Sequence, residues 1–175
     1  MPDVIINPDL EMTVLDEQFQ ILTPNVSKVD DVPLDMLRNA DAIMGWHTLR
    51  YDSTLIKQLD NCKLIIRIGV GFDNVDLKTA GELGIAVSNV PDYGTTDVAD
   101  HAIALLLGFF RGIYAYADSV INNQWDWHSA GPLKRLCGST LGIIGLGRIG
   151  TATAMRAKGL GMNVLFYEKA VRHAR

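Results

Sequence analysis

Three glycines near the C-terminal end of the chain, Gly145, Gly147 and Gly150, have the spacing G-x-G-x-x-G. They lie between an apolar run and a segment with helical periodicity, and Arg148 and Ile149 complete the turn. The start of a helix offers unpaired N–H groups and a positive dipole to an anion. The first glycine permits the tight turn, the second lets the backbone approach a pyrophosphate, and the third allows close packing of helix on strand. The pattern therefore predicts a dinucleotide site.

An acidic residue, Glu168, ends the next apolar run, 18 residues after Gly150. A carboxylate at this point of a strand-helix-strand unit can accept hydrogen bonds from ribose hydroxyls, and it repels a 2′-phosphate. The predicted cofactor is therefore NAD rather than NADP. Two plainer alternatives remain open: the glycines serve only to pack the turn, and Glu168 is a solvated acid at the end of a strand.

Apolar runs and helical segments alternate along the whole chain, with early strands predicted at residues 4–6 and 20–22. This order predicts an α/β protein: a flavodoxin-like parallel-sheet domain followed by the start of a Rossmann dinucleotide-binding domain. The predicted parts are a substrate domain over residues 1–96, one long helix over 97–124, and an incomplete strand-helix-strand unit over 125–175. The helix is apolar on more than one face, so we expect it to be buried on several sides, between domains or between subunits.

The composition limits the classes of function. The 175 residues are 48% hydrophobic and 21% charged with a formal net charge of −4, which argues against a nucleic-acid-binding surface. The two cysteines, Cys62 and Cys137, have neither disulfide-like nor metal-site spacing. We expect no export signal, because the first residues are acidic and polar, and the longest apolar run, residues 102–110, is too short to cross a bilayer. We expect a cytoplasmic protein, with a nuclear location left open in a nucleated cell.

Several motifs occur in a characteristic order: RIGVGFDNVD at residues 67–76, NVP at 89–91, VADH at 98–101, and then the glycine turn. In this combination the chain resembles the D-isomer-specific 2-hydroxyacid dehydrogenases. Within that family it is most similar to the phosphoglycerate-dehydrogenase-like members and to the C-terminal binding protein corepressors. The segments WHT at 46–48 and VLFY at 164–167 support the second comparison. The resemblance extends over residues 41–168.

The resemblance implies further site residues. Backbone N–H groups of a glycine loop would bind the substrate carboxylate, a histidine would face the substrate, and the start of the long helix would contact the nicotinamide side of the cofactor. In that order, the matching residues are Gly69, Val70, Gly71 and Phe72; His47; and Gly94 and Thr95. A glycine loop or a histidine at the end of a strand can also be purely structural, and these alternatives remain open.

The implied activity is oxidation or reduction of the CH–OH group of a small D-2-hydroxy acid with NAD, by a homodimer in the full-length form. This chemistry needs a cation beside the carboxylate and a general acid. In the family both follow the point at which this chain stops, so we expect a truncated and catalytically incomplete member. The alternatives are an NAD(H)-sensing, corepressor-like interaction module without turnover, and a non-functional remnant. The sequence does not identify the 2-hydroxy acid.

Overall fold

The computed structural model describes residues 13–15, 19–24, 26, 31–47 and 49–169. The chain divides into two compact units, Met1–Pro91 and Asp92–Arg175, which are taken separately below. The strand predicted at residues 4–6 lies outside the described residues. The strand predicted at 20–22 is wrong: these residues form no strand, and Leu22 is 54% exposed. A short apolar run forms a strand only where another strand offers its edge.

Among its described residues, the first unit contains a parallel sheet of three strands in the order β1-β2-β3. Its elements are α1 (Leu34–Asn39), β1 (Ala42–Gly45), α2 (Ser53–Ile56), β2 (Leu64–Arg67), α3 (Leu77–Glu82) and β3 (Ala86–Asn89). The register aligns Ala42 with Leu64 and Leu64 with Ala86, so the carboxyl ends of all three strands lie at one edge. The loops that follow these strands are therefore neighbours at that edge.

Aspartates begin two of these helices. The Asp52 carboxylate accepts the backbone N–H groups of Thr54 and Leu55 at 3.0 Å each. Asp76 accepts the Thr79 hydroxyl at 2.8 Å and two backbone N–H groups at 3.1 Å each, and these hydrogen bonds hold its pKa below the ordinary value. The chain leaves α3 at Gly84, which has a φ of +71°, a conformation that favours glycine at the end of a helix.

The core of the first unit lies between the sheet and its helices, and Ile56 and Ile65 are fully buried. Tyr51 is also in this core, and burial raises its pKa from 10.0 to about 12. The Tyr51 ring lies against the last residue of β1, Gly45, where any Cβ would overlap the phenol oxygen. Close approach of an aromatic ring therefore requires glycine at position 45.

The described residues of the second unit, 92–169, form two parallel strands and three helices. Its elements are α4 (Thr95–Phe110), α5 (Ile113–Ile121), β4 (Thr140–Ile144), α6 (Arg148–Gly159) and β5 (Asn163–Tyr167). Strand β4 pairs with β5 in the register Thr140 to Asn163 and Ile144 to Tyr167. Ile103, Ala157 and Met162 form a small core with half-buried neighbours. The predicted α/β architecture with parallel sheets is confirmed.

The single helix predicted over residues 97–124 is wrong. Two helices, α4 and α5, meet at a bend of 67°. The break occurs at Gly112, whose φ of +62° interrupts the helix and where a Cβ would overlap Ala130. The expected burial on several sides is not provided by the described residues, since Phe109 is 78% exposed and Ile121 is 77% exposed. Apolar periodicity continued through Gly112 and so concealed the break.

Two further observations concern classes of site. Within the part of the chain that the structure describes, no single helix is long and apolar enough to cross a membrane, and α4 and α5 reach that length and composition only as a bent pair. The same residues contain no group of three or more His, Cys, Asp or Glu side chains placed to hold a metal. Both cysteines are free thiols, with Cys62 buried and Cys137 exposed.

Candidate cofactor and substrate sites

Residues 145–150, the glycine turn, connect β4 to α6. Gly145 adopts a φ of +91°, and its N–H donates to the Tyr167 carbonyl oxygen at 2.8 Å, which joins the turn to the end of β5. Gly147 is the N-cap of α6, and the first backbone bond of the helix runs from the Thr151 N–H to the Gly147 carbonyl oxygen at 2.8 Å. The turn thus presents the start of a 12-residue helix, with its dipole and first-turn N–H groups.

Each glycine of the turn has a different physical requirement. Gly145 has a backbone conformation that favours glycine, and a Cβ on Gly150 would overlap the Gly145 carbonyl oxygen. Gly147 has an ordinary φ of −73°, and nothing lies within 4 Å of where its Cβ would be. No contact with the described residues therefore requires glycine at position 147. The open space is a cradle that a side chain would fill, and it fits a pyrophosphate group.

Glu168 follows β5 and is hydrogen-bonded to the glycine turn. Its Oε2 accepts the Leu146 N–H at 2.7 Å, and its Oε1 accepts the N–H of Lys169 at 3.1 Å. The residue is half-buried rather than fully solvated. The carboxylate therefore lies directly beside the turn, with lone pairs left on both oxygens for other donors.

Gly94 and Thr95 lie at the start of α4, in the same unit as the glycine turn. Gly94 is the N-cap of α4, and the Thr95 N–H donates to the Asp92 carbonyl oxygen at 3.2 Å. An ion pair joins this helix to α6, since the Asp100 carboxylate lies 2.5 Å from Nε of Arg156. The start of α4 is thereby connected to the helix that carries the glycine turn.

In the first unit, residues 69–72 form a loop after β2, called here the carboxylate loop. Gly69 has a φ of +153°, and its carbonyl oxygen accepts the Val90 N–H at 3.0 Å. The Asn89 side chain donates to the Val70 carbonyl oxygen at 2.8 Å. These bonds hold the loop to the end of β3, while Val70, Gly71 and Phe72 remain exposed.

Arg67, the last residue of β2, is 9% exposed and lies beneath the carboxylate loop. Its Nη1 donates to the Ile68 carbonyl oxygen at 2.6 Å, and a Cβ on Gly69 would overlap the same nitrogen. Its Nε has no hydrogen-bond partner among the described residues. Sequence reasoning missed this cation, although an arginine that ends an apolar strand is a visible signal. A buried positive charge beneath the loop favours an anion on it.

His47 lies in the exposed loop after β1. The Asn74 side chain holds this loop by donating to the carbonyl oxygens of Trp46 and Leu49 at 3.3 and 2.7 Å. The end of β1 also pairs with the start of the carboxylate loop, since the Ile68 N–H donates to the Gly45 carbonyl oxygen at 2.8 Å. His47 and the carboxylate loop thus follow adjacent strand ends. The role of Asn74 in holding the loop that carries His47 was not predicted.

Residues 4–173 match the family model of the D-isomer specific 2-hydroxyacid dehydrogenase, catalytic domain. The chain belongs to this family.

Two curated relatives show how this chain compares in length. It is 33% identical over 169 residues to C-terminal-binding protein 1 of Caenorhabditis elegans, and the match covers 93% of this chain and 23% of that protein. It is 33% identical over 172 residues to a glyoxylate reductase of Pyrococcus furiosus, with 93% of this chain and 51% of that protein covered. The chain spans about half, or less, of the length of these relatives.

Solved structures agree with the fold of this dehydrogenase family. The D-lactate dehydrogenase of Aquifex aeolicus, in complex with NAD and lactic acid, superposes with a TM-score of 0.77 and 32% identity, covering 83% of this chain and 44% of that one. A glyoxylate reductase of Paecilomyes thermophila superposes with a TM-score of 0.74 and 29% identity, covering 85% and 48%. The predicted family and fold class are confirmed.

Two surface cavities among the described residues have no predicted site residue in their lining. One of about 660 Å³ lies against α1, and one of about 520 Å³ is lined by residues of α5 and of the loop after it.

Proposed function

We propose that this chain is the NAD-binding and carboxylate-binding part of a D-2-hydroxyacid dehydrogenase. The observation that carries the proposal is Gly147. It caps a 12-residue helix, it has an ordinary φ, and the space around its missing Cβ is open. A pyrophosphate in that space would accept N–H groups of the first helical turn and lie at the positive end of the dipole.

Glu168 supports NAD as the cofactor. Its carboxylate retains free lone pairs beside the turn, so it can accept the 2′- and 3′-hydroxyls of the adenosine ribose. The 2′-phosphate of NADP would bring negative charge to the same place. At about 5 Å and an effective dielectric constant of about 20, two unit charges repel by roughly 3 kcal/mol. The NAD in the structure of the Aquifex aeolicus relative is consistent with this preference.

The carboxylate loop supports a small 2-hydroxy or 2-keto acid as the substrate class. Val70, Gly71 and Phe72 are exposed in this loop, and the buried Arg67 side chain supplies positive charge beneath it. His47 follows the adjacent strand end and is proposed to face the substrate. Gly94 and Thr95, with Arg148 and Ile149 of the glycine turn, complete the proposed cofactor contacts.

Calorimetric titration of the 175-residue chain with NAD and NADP tests the proposal. We expect NAD to bind more tightly. Glu168→Ala should weaken NAD binding by about 10- to 100-fold, since hydrogen bonds to a charged group contribute about 1.5–3 kcal/mol. The same substitution should reduce the difference between the affinities for NAD and NADP. Glu82→Ala removes an exposed carboxylate of the other unit and should change neither affinity. Equal affinities for the two cofactors in the wild type would contradict the ribose contact.

The proposal assigns binding roles to the described residues and gives none of them the role of general acid. We therefore expect this chain by itself to bind NADH without sustained turnover. Incubation with NADH and glyoxylate or hydroxypyruvate, followed by absorbance at 340 nm, checks this. Steady NADH oxidation over many equivalents of protein would show that the acid-base groups are present in the chain.

An NAD(H)-sensing interaction module, like the corepressor group, is the second candidate. It is favoured by exposed aromatic surface in the loop after α5, where Trp125 is 95% exposed and Trp127 is 75% exposed. Such side chains are typical of protein interfaces, and a homodimer is the proposed partner arrangement. Sedimentation velocity with and without NADH, on the wild type and on Trp125→Ala, tests this. Self-association that is independent of both nucleotide and Trp125 would argue against it.

A further inference from the structure

Leu146, in the middle of the glycine turn, is held through both of its peptide groups. Its N–H donates to Oε2 of Glu168 at 2.7 Å, and its carbonyl oxygen accepts the Thr151 hydroxyl at 3.2 Å. Glu168 approaches from the end of β5 and Thr151 from the first turn of α6. Leu146 is thus hydrogen-bonded to the residue that follows β5 and to the first turn of α6.

The backbone of α6 cannot supply these bonds. The first intrahelical bond accepts at Gly147, one residue after Leu146. Leu146 also lies between two glycines, which lose more conformational freedom on ordering than other residues. Without partners for its N–H and C=O, this segment would hydrogen-bond to water and sample other conformations.

We propose that Thr151 and Glu168 are positioning residues that fix the glycine turn in its anion-binding shape by holding the Leu146 peptide groups from opposite sides. The proposal rests on the function proposed above and adds two residue roles to it. Thr151 receives a role, and Glu168 receives a second role besides the ribose contact. Cofactor choice and turn geometry then depend on the same carboxylate.

Thr153 shows what an ordinary helical threonine does. Its hydroxyl donates to the carbonyl oxygen of Ile149 at 2.9 Å, one turn earlier in the same helix. The Thr151 hydroxyl instead bonds to an oxygen that lies before the N-cap of the helix. Thr153→Val is therefore a matched control, because it removes the same kind of hydroxyl from the same helix without removing a hydrogen bond to Leu146.

The first experiment needs no ligand. Amide hydrogen exchange of Leu146 is followed by NMR in the full 175-residue chain and in Thr151→Val, Thr151→Ser and Thr153→Val. We expect Thr151→Val to speed exchange at Leu146 by about 2- to 10-fold, the equivalent of one net hydrogen bond. Thr151→Ser should restore the slow rate and Thr153→Val should leave it unchanged. Equal exchange at Leu146 in both valine variants would overturn the role of Thr151.

The second experiment uses inorganic pyrophosphate, which has no ribose, with Glu168→Gln and Glu168→Ala. If the carboxylate acted only through its charge, both variants would bind pyrophosphate more tightly, because a negative charge near the anion is removed. If the carboxylate also positions the turn, the two variants should differ in their affinity for pyrophosphate. The amide oxygen of glutamine can still accept the Leu146 N–H, so Gln should bind at least as tightly as wild type, whereas Ala should bind at least about 3-fold more weakly than Gln.

The outcomes separate the two proposals. A wild-type chain that binds neither NAD nor pyrophosphate would sink the proposed function, and the exchange rates at Leu146 would still decide whether the turn is held as inferred. A wild type that binds pyrophosphate, with Ala as tight as Gln at position 168, would overturn the positioning role of Glu168 while leaving NAD binding in place.

Discussion

Replacement of Gly147 by aspartate should make the protein more stable and its cofactor affinity much lower. Gly147 caps α6 without any side-chain hydrogen bond, and its φ of −73° and ψ of −161° suit the residues that prefer an N-cap. An aspartate there gains a few tenths of a kcal/mol as a cap, and its charge beside the helix dipole adds more. Together these contribute about 0.5–1 kcal/mol, which raises the melting temperature by roughly 1–4 °C.

The same carboxylate would occupy the space assigned to the pyrophosphate. Because nothing of the described protein lies within 4 Å of the Cβ position, the side chain meets no intramolecular obstacle, and its cost falls on the ligand alone. Two unit charges about 5 Å apart, at an effective dielectric constant of about 20, repel by about 3 kcal/mol. This corresponds to a loss of about 100-fold in NAD affinity.

Thermal unfolding followed by circular dichroism, together with calorimetric titration by NAD at low salt, measures both effects. Gly159→Asp is the matched control. Gly159 is the last residue of the same helix, and its Cβ position is equally open, but a negative charge there opposes the dipole. It should therefore lower stability slightly and leave NAD affinity unchanged. A folded Gly147→Asp variant with wild-type NAD affinity would refute the placement of the pyrophosphate at this turn.

Three further predictions follow from contacts within each unit. Gly150→Ala should cost about 1–3 kcal/mol of unfolding free energy in urea, because the new Cβ overlaps the Gly145 carbonyl oxygen; an unchanged urea midpoint would contradict that packing. Stability should fall as the pH rises from about 10 to about 12, because the folded state keeps the Tyr51 proton, with a pKa of about 12, that the unfolded chain loses near its ordinary pKa of 10. The loss approaches about 2–3 kcal/mol at the upper end, and it should be absent from Tyr51→Phe in pH-dependent urea melts. Arg156→Met should cost at most about 1 kcal/mol, since its ion pair with Asp100 is partly exposed, and a cost that does not shrink in 1 M salt would show that packing rather than charge is involved.

Local signals in the sequence predicted much of the fold. Asp52, Asp76 and Gly84 are helix-start and helix-stop residues, and each acts within a few positions of itself in the chain. Such signals failed where a neighbouring element decided the outcome. Gly112 breaks the helix predicted over 97–124, and the apolar pattern on both sides of it gave no indication of the change in direction.

The candidate sites likewise contain some features that could be predicted from the sequence and others that could not. The glycine turn and its acid were readable because their spacing follows from the geometry of a strand, a tight turn and a helix start. The buried position of Arg67 and the hold of Asn74 on the loop of His47 were not readable. Both depend on strand ends and loops that are distant in sequence, and the pairing of parallel strands brings them together.

The sequence by itself thus determined the order of elements, the family and the position of the glycine turn, because periodicity, capping and glycine spacing are properties of neighbouring residues. Only the tertiary structure decided that Gly147 alone among the three glycines has neither a positive φ nor a close neighbour at its Cβ position. It also decided that Leu146 is held between Glu168 and Thr151. The physical reason is that free space and hydrogen-bond partners depend on residues brought together by folding.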